Sequence, residues 1–288
     1  MGQRFMAAMA VGGFLVMLGG AATPASAGAE ENKPFQWPAG RRAAISLSFD
    51  DARTSQPDVG LALLDRMGVK ATFFVTPANV EKRLEGWKKI VASGHEIANH
   101  SLTHPCSGNF LFSRANALED YTLERMAKEL DDANAEIARL LGVKARTFAY
   151  PCGQKFVGRG RRVKSYVPLA AERFRVARGY LEETANDPAY FDFAQAAGTG
   201  FDDMDFPQMK QLVSQAAEEG RWIIFVGHEI GSKGFQVTDT GALEALCRYA
   251  KDPANGLWID TVESIGRYIE QQRGKSGGRG LEARGWDR

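Results

Sequence analysis

From Ala43 onward the chain alternates short β-branched or aromatic runs with amphipathic stretches at helical spacing. That alternation restricts the fold more than any other feature. Residues 45–49, 69–75, 95–98, 145–150, 174–177, 221–226 and 257–259 read as strands. Residues 57–67, 85–93, about 120–141, 168–173, 208–219 and 240–251 read as helices, and a last helix runs to about Gln272. In the longest, Leu123, Met126, Leu130, Ile137 and Leu141 form one apolar face, and Gly142 ends it. Asp260-x-x-Glu263 reads as a capping box for the last helix. Successive strand–helix units pair their strands in parallel, because a crossover helix returns the chain to the same edge. The expected class is therefore α/β, a parallel sheet or barrel whose chemistry sits at the C-terminal ends of its strands.

Residues 1–27 stand apart from this pattern. Arg4 precedes an apolar core from Met6 to Gly20, and Ala25-Ser26-Ala27 supplies the small residues of a cleavage site. This reads as a signal peptide, so the mature chain is expected to be exported, periplasmic or secreted. No stable membrane span is expected after processing. Residues 28–42 read as an N-terminal arm, 43–272 as the catalytic domain and 273–288 as a disordered tail. Removing the single basic residue of the leader leaves 35 basic against 35 acidic residues. A balance near zero argues against a polyanion partner such as nucleic acid. The one basic cluster, Arg159 with Arg161 and Arg162, contains no aromatic residue and reads as a solvated loop.

The first strand runs straight into Asp50-Asp51. Two adjacent carboxylates at a strand end are costly unless a cation or unequal pKa values hold them. His100 and His104 form an H-x3-H pair, and on a helical turn both imidazoles would face the same way. With one of the two carboxylates they make a two-His, one-carboxylate set, which suits hydrolytic zinc or non-heme iron. His228 follows an apolar run ending at Val226-Gly227 and falls at another strand end. His95 reads as a structural residue, and Cys247 as a core residue on a helical face.

Several motifs in order resemble those of the polysaccharide deacetylases, the NodB homology domain of carbohydrate esterases. Ser48-Phe49-Asp50-Asp51-Ala52 resembles the family's first motif, and His100-Ser101-Leu102-Thr103-His104 its second. Ala149-Tyr150-Pro151-Cys152-Gly153 resembles the third, and Phe225-Val226-Gly227-His228 the late strand that carries a catalytic histidine. The resemblance spans about residues 43–270 and implies a distorted (β/α) barrel. It further implies Asp50 as general base and Asp51, His100 and His104 as ligands of a divalent metal, zinc foremost. The backbone N–H of Cys152 would face the oxyanion and His228 would act as the acid. The implied reaction removes acetyl groups from an N- or O-acetylated glycan.

Two positions depart from the family pattern. Ala149 stands where the third motif carries an arginine that braces the catalytic Asp, with Arg146 three residues away. The fourth motif, an Asp followed by a Trp, has no clear match; Asp187 and the Asp202-Asp203 pair are the candidates. Glu229 is a further candidate for orienting His228. Cys106 and Cys152 follow the His104-Pro105 and Tyr150-Pro151 segments, and both a disulfide and two separate buried thiols fit that placement. Three other functions remain in play: a C–N hydrolase of a small cyclic amide, a glycan-binding module without catalysis, and an iron oxygenase.

Overall fold

A computed structural model describes residues 35–275. The segment expected to be a signal peptide, the expected arm up to residue 34 and the expected tail from residue 276 lie outside the described residues. Eight parallel strands form the main sheet: β1 (Ala43–Asp50), β2 (Thr72–Val75), β3 (Glu96–Asn99), β4 (Thr147–Ala149), β5 (Val176–Arg178), β6 (Thr199–Gly200), β7 (Trp222–Gly227) and β8 (Leu257–Ile259). Their order is β5-β4-β3-β2-β1-β7-β6, and β8 pairs with the first half of β1 while β2 pairs with its second half. A bridge between Arg178 and Ala196 joins β5 to the segment leading into β6. The sheet thus curls round to meet itself as a distorted barrel.

Every residue of β1 is buried, and its alternation explains its composition. Ile45, Leu47 and Phe49 face the layer of helices, where Phe49 stacks with Phe73 at 5.7 Å and Phe73 meets Trp87 edge-on at 5.6 Å. Ala44, Ser46, Ser48 and Asp50 point the other way. Small side chains in that row leave room for Trp222 and Phe74. The hydroxyls are not idle: Ser46 accepts from the Trp222 indole at 3.1 Å, and Ser48 donates to the Phe225 carbonyl at 2.6 Å. The same row carries Asp50 to the mouth of the barrel.

The predicted elements are found, with informative differences. The 57–67 helix is split into a π turn, Gln56–Gly60, and an α-helix, Leu61–Met67, ended by left-handed Gly68. The last helix extends to Lys275, so residues 273–275 are helical and not part of a tail. Its cap is Thr261, whose Oγ1 accepts from Ser264 N at 3.2 Å, in place of Asp260. The arm is not a free linker where it is described. Trp37 is buried, stacks on Tyr268 and donates its indole N–H to Gly220. Among the described residues no helix is long and apolar enough to cross a membrane.

Glu96 opens β3, at the end of the sheet opposite the strand termini that carry Asp50 and His228. Its carboxylate accepts from Thr72 Oγ1 (2.7 Å), from Thr147 Oγ1 and from the Glu263 backbone N–H (2.9 Å). Three strand starts are thereby tied to the start of the last helix. Desolvation outweighs these bonds and pushes its pKa up to about 7. The folded state then holds this proton more tightly than the unfolded chain, so its contribution to stability is present below pH 4.5 and is lost as pH rises through 7. Glu96→Gln is expected to flatten the fall in melting temperature between about pH 5 and about pH 8. An unchanged slope would remove Glu96 from this account.

Candidate functional site

Six strands bring side chains or backbone to one end of the barrel. Asp50 ends β1, His100 follows β3, Cys152 follows β4, Arg178 ends β5, Asp202 follows β6 and His228 follows β7. After β1 the chain enters the left-handed region at Asp51 (φ 72°) and Ala52 (φ 52°). That turn breaks the strand's alternation and lets both carboxylates reach the same mouth. Non-glycine residues in this conformation carry strain of about 1 kcal/mol or more, which local bonds must offset. The Asp51 carbonyl accepts from Asn79 Nδ2 at 2.8 Å, and Gln56 Nε2 donates to the carbonyls of both Asp50 and His228.

The H-x3-H segment is not helical. Ser101 (φ 65°) and His104 (φ 52°) are left-handed, because side chains take the backbone groups a helix would use. Asn99 Oδ1 accepts from Ser101 N at 2.6 Å, Ser101 Oγ from His104 N at 3.0 Å, and Glu129 from Thr103 N at 2.6 Å. The imidazoles still converge, their centroids 4.8 Å apart. Asp51 Oδ1 lies 3.5 Å from His100 Nε2 and 3.3 Å from His104 Nε2. His100 Nδ1 lies 2.9 Å from the Ala149 carbonyl, so that nitrogen is the N–H donor and Nε2 keeps its lone pair.

These donor atoms suit a divalent cation. Asp51, His100 and His104 each offer one ligand atom, all within 4.8 Å of one another. Desolvation, reinforced by the neighbouring His100, brings the His104 pKa down to about 4, so its ring is neutral and able to coordinate. Burial works against ionised Asp51, yet its contacts with the neighbouring imidazoles hold its carboxyl well below the usual range. Its second oxygen is occupied by Arg53, which donates from Nη2 at 2.9 Å and Nε at 3.1 Å.

Asp50 is paired with a residue that sequence reasoning missed. Arg178 Nη2 donates to Asp50 Oδ1 in an ion pair whose two members are buried. Arg178 also donates to Gly179 O at 3.0 Å and lies over the Phe74 ring at 4.4 Å. Arg178 and Ala149 are register partners on adjacent strands. The guanidinium is thus supplied from the strand beside the one that lacks it, and Arg146 sits at the other end of β4. Asp50 Oδ2 is 3.8 Å from His100 Nε2, which puts it on the rim of the cation set.

Asp202 supplies the partner of His228, and Asp187 does not. His228 Nδ1 lies 2.6 Å from Asp202 Oδ2, while Asp202 Oδ1 accepts from the His228 N–H at 3.1 Å and Thr238 Oγ1 at 2.9 Å. Asp187 instead caps a turn through Ala189 N at 2.8 Å. Glu229 bonds Ser55, not the His228 ring. Burial alone would lower the His228 pKa, but the hydrogen bond its ring donates to Asp202 and the charges of Asp50, Asp202 and Asp51 raise it. Tyr180 meets the His228 ring edge-on at 5.6 Å and forms the adjacent wall.

Cys106 and Cys152 are joined as a disulfide with Cα atoms 6.1 Å apart, linking the loop after His104 to the turn after β4. Cys152 itself is left-handed, φ 53°, at the tip of that turn. Cys247 is buried on the Thr240–Lys251 helix, its thiol pushed up to about 12 by desolvation. His95 is structural: its Nδ1 accepts from Ala71 N at 3.1 Å, beneath Phe73 and away from the mouth.

Comparison with known proteins agrees with this geometry. Residues 38–165 match the polysaccharide deacetylase family model. The uncharacterised Bacillus subtilis protein YlxY is 37% identical over 113 residues, 39% of this chain and 30% of that one. A chitooligosaccharide deacetylase from Bradyrhizobium is 44% identical over 63 residues, 21% of this chain and 28% of that one. A peptidoglycan-N-acetylglucosamine deacetylase from Bacillus cereus is 39% identical over 69 residues, 22% of this chain and 24% of that one. The chain therefore spans about a quarter to a third of these relatives. A deacetylase-type structure from Mycobacterium smegmatis superposes with a TM-score of 0.61 at 17% identity, covering 83% of this chain and 94% of its own. A family 4 acetyl xylan esterase from Clostridium thermocellum, solved with a cobalt ion, gives 0.51 at 21% identity, covering 79% and 92%. Over residues 38–165 the chain resembles the polysaccharide deacetylase family, and its fold is that of the superposed deacetylase-type structure.

Proposed function

We propose that the protein is a divalent-metal-dependent hydrolase that removes acetyl groups from an N- or O-acetylated glycan. The observation that carries this reading is the convergence of Asp51 Oδ1, His100 Nε2 and His104 Nε2, flanked by the two charge pairs Asp50–Arg178 and His228–Asp202. Zinc fits the donor set, because hydrolysis needs a Lewis acid and no redox change. Held by Asp51, His100 and His104, it would polarise the acetyl carbonyl and make water a better nucleophile.

The chain's own residues do the rest. Asp50, with one oxygen fixed by Arg178, turns its other oxygen to the mouth and accepts the proton of the attacking water. The Cys152 backbone N–H would face the oxyanion that develops on the acetyl oxygen as water adds to the carbonyl carbon. His228 keeps Nδ1 on Asp202 and offers a proton from Nε2 to the departing amine or alkoxide. Acetate and a free amine or hydroxyl result. Arg178 supplies beside Asp50 the guanidinium that Ala149 lacks, which supports the catalytic reading over a binding module without catalysis. The expected location is extracytoplasmic, where wall and environmental glycans are met.

Acetate release from acetylated chitin, peptidoglycan and xylan fragments tests the reading, with ring opening of small cyclic amides as the competing assay. Turnover of the amides alone would replace the glycan substrate. The acid role of His228 has its own test. Asp202→Asn removes the main group raising the His228 pKa, so the alkaline limb of the pH–rate profile is expected to move to lower pH. The charged ring favours folding below pH 6.5, and that contribution fades as pH rises through the raised folded value. The variant should therefore also lose stability at acidic pH. An alkaline limb that stays in place would take His228 out of the acid role.

A further inference from the structure

We propose that reduction of the Cys106–Cys152 disulfide creates a second metal site, Cys106, Cys152 and His104, which withdraws His104 from the first. This rests on the reading of Asp51, His100 and His104 as a metal set. Cys106 Sγ lies 3.7 Å from His104 Nδ1, and the ligand atoms of His104, Cys106 and Cys152 all fall within 4.8 Å of one another. Two donors sharing a tetrahedral zinc, one sulfur and one nitrogen, are separated by roughly 3.6 Å. The His104 Nδ1–Cys106 Sγ pair is therefore already spaced for the ion, and breaking the S–S bond frees the two sulfurs to move apart around it.

The two loops are also tied by contacts that reduction leaves in place. Ser107 N donates to Gln154 Oε1 at 2.6 Å, crossing between the loops beside the disulfide. Cys106 is held at both backbone groups by Ser113 Oγ, each at 2.8 Å. The sulfurs thus stay face to face as thiols.

His104 is the shared element. Its Nε2 faces Asp51 at 3.3 Å and its Nδ1 faces Cys106. A neutral imidazole carries one lone pair, so it serves one ion at a time. Thiolates are softer donors than a carboxylate and favour zinc strongly. Cys106 is buried and Cys152 is partly accessible, so a dithiol reductant meets Cys152 first. Its thiolate attacks Cys152 Sγ, Cys106 leaves as thiolate, and the reductant's second thiol resolves the mixed disulfide. The reductant departs as a disulfide, two electrons have moved to the protein sulfurs, and metal binding displaces the two thiol protons.

Cobalt(II) is the probe. Oxidised protein is expected to show only the visible bands of a nitrogen and oxygen site, whereas phosphine-reduced, desalted protein adds a near-ultraviolet thiolate-to-cobalt band. With limiting zinc, acetate release from an acetylated chito-oligosaccharide should fall at least about tenfold on reduction and recover on reoxidation, as the loss of one ligand implies. Cys106→Ser/Cys152→Ser should lack the thiolate band in both states, and reduced Cys247→Ser should retain it. Absence of the band in the reduced parent, or its loss in Cys247→Ser, overturns the proposal. Absence of the visible bands in oxidised protein would instead overturn the reading of the first site.

Discussion

Asp50→Asn is expected to lower the rate of acetyl removal by about 10²- to 10⁴-fold, the usual contribution of a positioned general base. The amide keeps the shape of the carboxylate but cannot take the proton of water at neutral pH. Because Asp51, His100 and His104 are untouched, bound metal should stay at the parental level. This separation is the informative part. A loss of rate accompanied by a loss of metal would make Asp50 a ligand. An unchanged rate would remove it from the chemistry.

Arg178→Ala is expected to have the largest effect on stability. The guanidinium is fully buried, and its partner Asp50 is 3% exposed. Deleting the cation leaves a carboxylate in a site with little water, which typically costs about 3–5 kcal/mol. Asp50→Asn in the same chain removes the orphaned charge, so the double variant should be more stable than Arg178→Ala alone. Coupling of about 0.5–3 kcal/mol is the range for residues in direct contact. Ala149→Arg combined with Arg178→Ala moves the guanidinium to the register partner and should recover part of both stability and rate. Chemical denaturation of the four chains measures the cycle. Additive effects would mean that the pair does not act as a unit.

Sequence and structure agree best where the chemistry is contiguous. Asp50-Asp51 and His100-x3-His104 lie within a few residues of strands long enough to read by composition, so their place at strand ends was legible. The left-handed turns that aim Asp51 and His104 were not, because neither residue type announces that conformation. Arg178 was hidden, and Asp202 could be named only as one of several candidates, for different physical reasons. Arg178 is separated from Asp50 by 128 positions and is brought to it only by the pairing of β4 with β5. Asp202 follows β6, a strand of two residues, too short for any periodicity to mark. The same pairing of β4 with β5 explains why Ala149 is tolerated, since its neighbour across the sheet carries the charge.

The disulfide was legible only as one of two outcomes, since both cysteines follow site-forming motifs but chain order cannot fix their separation. The cap of the last helix moved by one residue because Thr261 reaches Ser264 while Glu96 takes the Glu263 N–H. Long-range partners of this kind outweigh a local capping signature.

The central claim is that Asp51, His100 and His104 hold a divalent ion required for acetyl removal. Zinc analysis of the dialysed protein and of its Asp51→Ala and His104→Ala variants, paired with acetate release before and after chelation, tests it most directly. Stoichiometric zinc in the parent, its loss in both variants, and activity abolished by chelator and restored by zinc are the predicted results. Acetate release that persists in metal-stripped protein, or zinc retained in full by both variants, would contradict the account.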